Sequence, residues 1–175
     1  MSFLPIVIYP DPRLREKLPP AKNVTKEIKQ LLANMAETMY SASGIGLAAN
    51  QVGASVRAIV VDIQESDDPA QRASQLYKIV NPKIVMREGK IRTEEGCLSI
   101  PEVREFVSRA SRVIVEGLDE EGQAIKIEAS GLLSVCLQHE IDHLDGVLFI
   151  DHLSRLKKQL IKTKLEKLVA NQDRE

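Results

Sequence analysis

Apolar positions in three segments of the chain recur every three or four residues, as in amphipathic helices. In the first segment, residues 25–41, Thr25 precedes the apolar stripe and is a suitable N-cap. A second helix is predicted to begin near Gly131, and a third follows the DHLS segment at 151–154. The predicted apolar side of this third helix consists of Leu153, Leu156, Leu160, Leu165 and Leu168.

Strand patterns lie between these helices. The segment VRAIVVDI at 56–63 is rich in β-branched residues and predicts a buried strand. LYKIVNPKIVM at 76–86 and GKIRTEEG at 89–96 predict further strands. RVIVEGLDEEGQAIKIEA at 112–129 alternates on both sides of DEEG and predicts a hairpin. The polar segment SDDPAQRASQ at 66–75 is expected to be a loop. Helices do not alternate regularly with strands, which favours an α+β fold.

Composition adds few constraints. The 175 residues are 43% hydrophobic and 28% charged, which is ordinary for one soluble globular domain covering 1–175. No apolar run reaches the roughly 18–20 residues needed to cross a bilayer. The opening MSFLPIVIYPDPRL lacks the features of a secretory signal, so we expect a cytoplasmic protein without a membrane partner. In that compartment Cys97 and Cys136 are expected to stay reduced.

Charge is unevenly distributed, because the C-terminal end is basic. Residues 154–175 contain seven Lys or Arg and three Asp or Glu, whereas the whole chain has a net charge of −1. The helix predicted at 154–170 carries most of the basic residues. On charge alone this pattern is that of an ordinary solvated helix face. Its basic residues are Arg155, Lys157, Lys158, Lys162, Lys164 and Lys167.

The segment LQHEIDHLDG at 137–146 places His139 and His143 four positions apart, with Glu140 between them. On a helix, positions i and i+4 share one face, so the two imidazoles can bind one metal ion. The same stripe continues toward the N-terminus of the helix. Its apolar members are interpreted as a pocket wall leading to the metal, or simply as core: Leu132, Val135 and Cys136.

Two known patterns for a third ligand fit poorly. The metzincin pattern requires a histidine where Phe149 stands. A thermolysin-like site would require a glutamate on a following helix, and the candidate Glu166 lies among lysines on a predicted solvated face. The remaining histidine, His152, is expected to be a surface or capping residue.

A thiolate upstream is the better candidate for the third ligand. Cys97 lies in EEGCLSIP, where Gly96 permits close approach of the backbone. Cys136 is expected to be a small buried side chain, so spacing favours Cys97 without excluding Cys136. A site with one cysteine and two histidines leaves a fourth position for water, as in catalytic rather than closed structural sites. Glu140 is then placed to carry a proton.

The glycine-rich segment GIGLAANQVG at 44–53 matches G-x-G-x-x-A, a form of the dinucleotide fingerprint. It follows a helix instead of a strand, so no nucleotide cofactor is expected. The small side chains in this segment leave the backbone accessible, so that an extended ligand can pair with it. Gln51 is interpreted either as a polar residue of the site or as a turn residue that bonds its own backbone.

Together these segments resemble the peptide deformylase family, whose three motifs are G-φ-G-φ-A-A-x-Q, E-G-C-φ-S and Q-H-E-φ-D-H, with φ apolar. They appear here as GIGLAANQ at 44–51, EGCLS at 95–99 and QHEIDH at 138–143, without a departure. The resemblance extends over nearly the whole chain. It implies a single compact α+β domain with antiparallel or mixed sheets around a central metal-binding helix, flanked by N-terminal and C-terminal helices.

The resemblance also implies roles for individual residues. Cys97, His139 and His143 would bind the metal, and Glu140 would act first as general base and then as general acid. The Gln51 side-chain amide and the Leu98 backbone N–H would stabilise the developing oxyanion. The remaining residues would bind substrate by backbone pairing or through the methionine pocket, although Arg104 can equally be structural: Ile45, Gly46, Gly96, Arg104, Leu132, Val135 and Cys136.

The implied reaction removes the formyl group from N-formylmethionyl nascent peptides and releases formate. The implied cofactor is one divalent ion per chain, Fe(II) physiologically, with zinc, nickel or cobalt as alternatives. The ribosome is an implied partner through the basic C-terminal helix. Two other interpretations are a small HExxH metallopeptidase acting on ordinary peptides, and a structural zinc module that would require a fourth protein ligand.

Overall fold

A computed structural model describes residues 2–65 and 68–174, and its three long helices lie where the apolar spacing predicts them. Helix α1 spans Lys26–Ser41, and the Thr25 hydroxyl accepts a hydrogen bond from the Ile28 N–H, which confirms the predicted cap. The two later long helices begin at Gly131 and Arg155. Their positions confirm the helical segments inferred from the sequence.

The segment at 66–75 is not wholly a loop. Residues 66 and 67 lie outside the described residues, but Pro69–Gln75 forms a short helix, α2. The Asp68 carboxylate accepts a hydrogen bond from the Ala70 N–H, and proline occupies the first helical turn. The loop prediction is therefore wrong there, because a capping aspartate followed by proline is a helix-start signal.

Helices α3 and α4 differ in burial. Helix α3, Gly131–Leu144, is buried along most of its length, whereas α4, Arg155–Gln172, packs through Ile161 and Leu165. Leu156 is 70% exposed and Leu160 is 62% exposed, so the predicted apolar side of α4 is wrong at those positions. The buried face is rotated toward Ile161, an apolar residue that the leucine pattern left out.

Antiparallel pairing builds both sheets. The strands are β1 Gly46–Ala48, β2 Ala58–Val61, β3 Tyr77–Glu88, β4 Ile91–Cys97, β5 Ile100–Arg109, β6 Arg112–Leu118 and β7 Ala124–Ser130. The larger sheet has five strands in the spatial order β1, β2, β3, β6, β7. The smaller sheet is the hairpin of β4 and β5. All described pairings are antiparallel.

Two strands were not predicted from the sequence patterns. Strand β1 has three residues inside the glycine- and alanine-rich segment. Strand β5, with the sequence IPEVREFVSR, contains a proline and four charged residues, which obscure its alternation. Its register with β4 shifts between Gly96 and Cys97, where Cys97 pairs with Ile100 across a two-residue turn. Leu98 and Ser99 form that turn.

Apolar side chains form two clusters on either side of the histidines. The larger cluster joins α1, the five-stranded sheet and residues such as Leu137 and Ile141 of α3. The smaller joins the β4–β5 hairpin to α4 and includes Phe149, whose ring stacks on that of His139 with centroids 5.9 Å apart. The described helices include none that is long and apolar enough to span a membrane.

Candidate active site

The structure brings Cys97, His139 and His143 together, as the motif resemblance implies. Cys97 Sγ lies 3.4 Å from His143 Nε2, and the two Nε2 atoms are 3.3 Å apart. One donor atom from each residue lies within 4.8 Å of the others. A tetrahedral ion with ordinary Zn–N and Zn–S bond lengths separates two such nitrogens by about 3.3 Å and nitrogen from sulfur by about 3.6 Å. The donor spacing therefore fits one metal ion.

Two elements supply these ligands. Cys97 ends β4, while His139 and His143 share one face of α3. Along a strand, alternate residues face the same side, so Glu95 points toward α3 together with Cys97. The His139 Nδ1–H donates to Glu95 Oε1 over 2.8 Å, which directs Nε2 toward the cluster.

Arg109 holds Glu95 in place and extends the network behind the cluster. Its guanidinium donates to both Glu95 oxygens, over 2.6 and 2.9 Å, and to Asp142 Oδ2 over 2.9 Å. His152 Nε2 also lies 2.9 Å from Asp142 Oδ2, so this histidine joins the network in addition to being partly exposed. Glu95 and Arg109 were not predicted from the sequence, although alternation along β4 from Cys97 would have pointed to Glu95.

The electrostatics of Glu95 follow from these partners. Burial by itself raises the pKa of a carboxyl group, but hydrogen bonds from His139 and Arg109 lower the pKa of Glu95 below its ordinary value. Glu95 is therefore an anion whose two oxygens are occupied. A permanently charged acceptor suits the task of orienting a metal-binding imidazole.

Glu140 lies beside the same imidazole in a different state. Its Oε1 is 3.9 Å from His139 Nε2, while its Oε2 is buried and has no hydrogen-bond partner among the described residues. Burial raises the pKa of Glu140 to about 7 from an ordinary 4.5. A carboxyl group with that pKa and an unsatisfied oxygen is suited to accept and return a proton near neutral pH.

Gly46 makes the room that Glu140 occupies. A Cβ atom at Gly46 would lie 2.6 Å from Glu140 Oε1, a separation that requires one of the two to move. Glu140 is itself almost fully buried, so it has little space to retreat. The second glycine of the first motif is therefore required for the position of the acid.

The histidine pair is suited to hold one positive charge. Burial lowers the pKa of a histidine, but the contacts of His139 with Cys97 and Glu95 outweigh it and raise its pKa to about 10. Burial and the neighbouring His139 charge lower the pKa of His143. Protonation of one histidine is therefore favoured, and protonation of the second is disfavoured. Because a histidine must offer an unprotonated ring nitrogen to a metal ion, a metal ion and a proton compete for the same nitrogen atoms of this pair.

Gln51 reaches the cluster from the first motif. It lies in a short 3₁₀ helix, Ala49–Val52, and its Oε1 accepts the Ala48 N–H over 2.9 Å. Its Nε2 lies 3.4 Å from Cys97 Sγ and 3.1 Å from Ser99 Oγ. The oxygen therefore bonds the local backbone, as expected of a turn residue, while the nitrogen faces the cysteine of the cluster.

A cleft of about 580 Å³ opens onto the cluster between α3, β1 and β4. Val135 and Cys136 are buried in its wall, whereas Ile45 and Leu132 are more exposed. Arg104 forms an ion pair with Glu94, and both side chains are largely exposed. All seven residues expected to bind substrate line this cleft: Ile45, Gly46, Gly96, Arg104, Leu132, Val135 and Cys136.

Two strand edges border the cleft. Among the described residues, β1 pairs only with β2, and β4 pairs only with β5. Each strand therefore keeps one unpaired edge, and Gly46 and Gly96 lie on those strands beside the cleft. Unpaired edges can add an extended peptide by main-chain hydrogen bonds.

A group of three protein ligands beside a proton-carrying glutamate, exposed to a peptide-sized cleft, is the arrangement of a metal-dependent hydrolase. Comparison of the chain with known protein families narrows this class to one family. Residues 3–159 match the family model described as polypeptide deformylase. The chain belongs to that family.

Individual relatives cover almost the whole chain. A peptide deformylase of Acinetobacter baumannii is 50% identical over 176 residues, which cover 100% of this chain and 97% of that protein. One from Alkalilimnicola ehrlichii is 52% identical over 169 residues, covering 97% and 92% of the two chains. The crystal structure of a Legionella pneumophila peptide deformylase has a TM-score of 0.88 and 41% identity, with 99% of each chain covered.

Proposed function

We propose that this protein removes the formyl group from N-formylmethionine at the start of newly made polypeptides. Water adds its oxygen to the formyl carbon, the carbon–nitrogen bond breaks, and formate and a free amine are released. The observation that carries this proposal is a Glu140 oxygen with no partner among the residues described, beside a three-ligand cluster at the floor of a peptide-sized cleft. Family membership supports the same reaction.

Cys97, His139 and His143 would hold a divalent ion. When bound, such an ion supplies a Lewis acid that polarises a carbonyl oxygen and lowers the pKa of water. Glu95 orients His139 through Nδ1, and Arg109 fixes Glu95. A thiolate with two imidazoles is compatible with iron, zinc, nickel or cobalt. We propose one Fe(II) ion per chain as the physiological state.

Glu140 carries the proton. In its ionised form it takes a proton from the attacking water, and it then delivers that proton to the leaving amine nitrogen as the carbon–nitrogen bond breaks. Its raised pKa allows both steps near neutral pH. The buried Oε2, which has no partner among the described residues, is the atom available for this transfer.

Gln51 and Leu98 would stabilise negative charge on the former formyl oxygen. The Gln51 amide nitrogen lies 3.4 Å from Cys97 Sγ, and Leu98 follows Cys97 in the hairpin turn. A donor that bonds the developing oxyanion more strongly than the substrate lowers the barrier, typically by about 3–4 kcal/mol for one such donor.

The cleft would select the peptide. An extended chain can pair with the unpaired edges of β1 and β4, where Gly46 and Gly96 lie, and Ile45 directly precedes β1 beside the same cleft. Leu132, Val135 and Cys136 would receive the methionine side chain, and Arg104 lies at the exposed rim. Since a formyl carbon carries only hydrogen, recognition depends on this pocket and on backbone pairing.

Formate release from a short formyl-methionyl peptide tests the proposal. We expect release by protein loaded anaerobically with Fe(II) or Ni(II), and none after the metal is chelated. The same peptide without its formyl group should remain uncut, whereas cleavage would favour an ordinary metallopeptidase. Absence of formate release from folded protein with one ion per chain would refute the proposed function.

The structure offers little support for a closed zinc module. Within the described part of the chain, the metal-binding group contains three residues, and a structural zinc site ordinarily has four protein ligands.

We propose that residues 1–175 act as one catalytic domain. Because the proposed substrates are new polypeptides, we place the enzyme in the cytoplasm.

We also propose the ribosome as a partner, bound through α4. Arg155, Lys158 and Lys162 are exposed and are spaced along one side of the helix. Such a basic face can bind RNA phosphates in a salt-dependent manner. Reversing these three charges to glutamate should abolish ribosome co-sedimentation at low salt. The matched control reverses Lys22, Lys83 and Lys90, which are exposed elsewhere. Equal loss in both variants would contradict the proposal.

A further inference from the structure

Ser99, the last residue of the second motif, has no part in the chemistry described above. It is fully buried in the turn between β4 and β5, and its hydroxyl lies 3.1 Å from Gln51 Nε2. We propose that Ser99 is a positioning residue for Gln51: its hydroxyl accepts one N–H of the amide so that the other N–H faces the reacting oxygen. This inference rests on the proposed function.

The amide of Gln51 is held at both ends. Its Oε1 accepts the Ala48 N–H, which requires the oxygen, not the nitrogen, to face the backbone. The NH₂ group is therefore directed toward Ser99 and Cys97. A planar NH₂ group has two N–H bonds about 120° apart. If one is held by Ser99 Oγ, the direction of the other is defined.

The second N–H has a weak partner in the ground state. It points to Cys97 Sγ, 3.4 Å from the nitrogen, and sulfur is a poor acceptor. A developing oxyanion is a far stronger acceptor. The interaction therefore strengthens in the transition state, which is the condition for lowering the barrier. Ser99 keeps this N–H available by occupying the other one.

The N-terminal segment fixes the distance between the two residues. The Val7 N–H donates to the Gln51 carbonyl oxygen over 2.7 Å, and the Tyr9 N–H donates to the Ser99 carbonyl oxygen over 2.8 Å. One short segment thus binds the backbones of both residues. The Ser99 hydroxyl is consequently held where the amide needs it, which makes it a fixed acceptor.

The chain contains a matched control pair. Ser134 is also fully buried, and its hydroxyl accepts from Gln138 Nε2 over 3.0 Å. The Gln138 oxygen likewise accepts a backbone N–H, that of Ala110. The hydrogen bonds described for the Gln138 amide go to Ala110, Ser134 and Arg87, none of which is a metal ligand. Replacing either serine with alanine removes a buried hydrogen bond to a glutamine amide, and Ser134→Ala also removes the bond that its hydroxyl donates to the Ala110 carbonyl oxygen.

The test compares formate release by metal-loaded Ser99→Ala and Ser134→Ala. The Ser99→Ala variant should lose about tenfold in kcat, the effect of one hydrogen bond of ordinary strength, while KM changes less than about twofold. Ser134→Ala should retain the kcat of the wild type. Metal content and Tm are measured for each variant, so that loss of the ion or of the fold is detected directly.

A double-mutant cycle distinguishes positioning from a structural effect. In a Gln51→Ala background, Ser99→Ala should change kcat less than about twofold, because no amide remains to be positioned. Ser99→Cys keeps the volume with a weaker acceptor and, measured at one ion per chain, should lower kcat in the wild-type background. An undiminished effect of Ser99→Ala without Gln51, an equal loss in Ser134→Ala, or an unchanged kcat would overturn the inference.

Failure of this inference can be distinguished from failure of the proposed function. Absence of formate release by the metal-loaded wild type would remove the proposed function and this inference together. Formate release that is insensitive to Gln51→Ala would leave the deformylase activity in place but remove both the oxyanion role of Gln51 and the positioning role of Ser99.

Discussion

The two sides of the metal cluster each present a buried glutamate to His139, and the two carboxyl groups are in opposite states. Glu95, on β4, has both oxygens occupied by Arg109 and His139. Glu140, on α3, has one buried oxygen without a partner among the described residues. Partners lower the pKa of the first, while burial raises the pKa of the second to about 7.

The difference shows that surroundings determine what a buried carboxyl group can do. Glu95 is paired with a buried guanidinium, so it remains charged and can only orient its neighbour. Glu140 has no such partner in the described part of the chain, so its charged form is costly and its proton is exchangeable. The β4 side is suited to positioning and the α3 side to proton transfer. Substitutions on the two sides should therefore differ in kind.

The largest effect is expected from Glu140→Gln. The amide keeps the size of the side chain but cannot take up a proton, so kcat for formate release should fall about 10²- to 10⁴-fold. Metal content should remain at one ion per chain, because Glu140 is not among the three ligands. Loss of the ion in this variant would instead assign Glu140 to the metal site.

A slightly smaller loss is expected from Gly46→Ala. The new Cβ would lie 2.6 Å from Glu140 Oε1 and displace the acid, and a misplacement of about 1 Å can cost about 10²-fold in rate. Gly96→Ala is the comparison, because there the new Cβ meets the exposed Arg104 guanidinium at 3.1 Å, which can move. Equal losses in kcat would contradict the role assigned to Gly46.

The pH dependence of stability should separate the two glutamates in metal-free protein. The folded pKa of Glu140 is about 7 and its ordinary value is 4.5, so the folded state binds more protons and loses stability as pH rises through this interval. At pH 8, Glu140→Gln should be more stable than the wild type by up to about 3 kcal/mol, with little of this gain at pH 5.

Glu95→Gln should behave in the opposite way. The pKa of Glu95 is lowered, so its contribution is present at pH 5 and above and is lost only as pH falls through the lowered folded value. The variant should be less stable than the wild type at both pH 5 and pH 8. Urea unfolding at the two pH values measures both differences. A gain for Glu140→Gln that is equal at pH 5 and 8 would contradict the raised pKa of Glu140.

The metal ligands could be predicted from the sequence better than the residues that orient them, for physical reasons. The His139–His143 spacing and the Thr25 cap are local features, so they could be recognised without a fold. Selecting Cys97 over Cys136 required the family resemblance. The Glu95–Arg109 pair joins β4 to β5 through their side chains, although Arg109 lies opposite Ile91 in the strand register, and β5 was not recognised as a strand.

Helix α4 shows a second limit of the sequence patterns. Its leucines recur at helical spacing, yet Leu156 and Leu160 are exposed while Ile161 is buried. Which part of an apolar stripe is buried depends on the surface that the helix meets. Here that surface includes Phe149 and the β4–β5 hairpin, whose position the sequence patterns did not predict.

Of the effects expected from Glu140, Gly46 and Glu95, the smallest concerns metal affinity on the β4 side. In Glu95→Gln the amide can still accept from His139, but the charge that strengthens this hydrogen bond is lost, so the dissociation constant for the ion should rise about 10- to 100-fold. Competition with a chelator of known affinity measures this change. Glu94→Gln is the control, since Glu94 points away from α3 and pairs with Arg104. If both variants bound the ion as tightly as the wild type, Glu95 would be a structural partner of Arg109 alone.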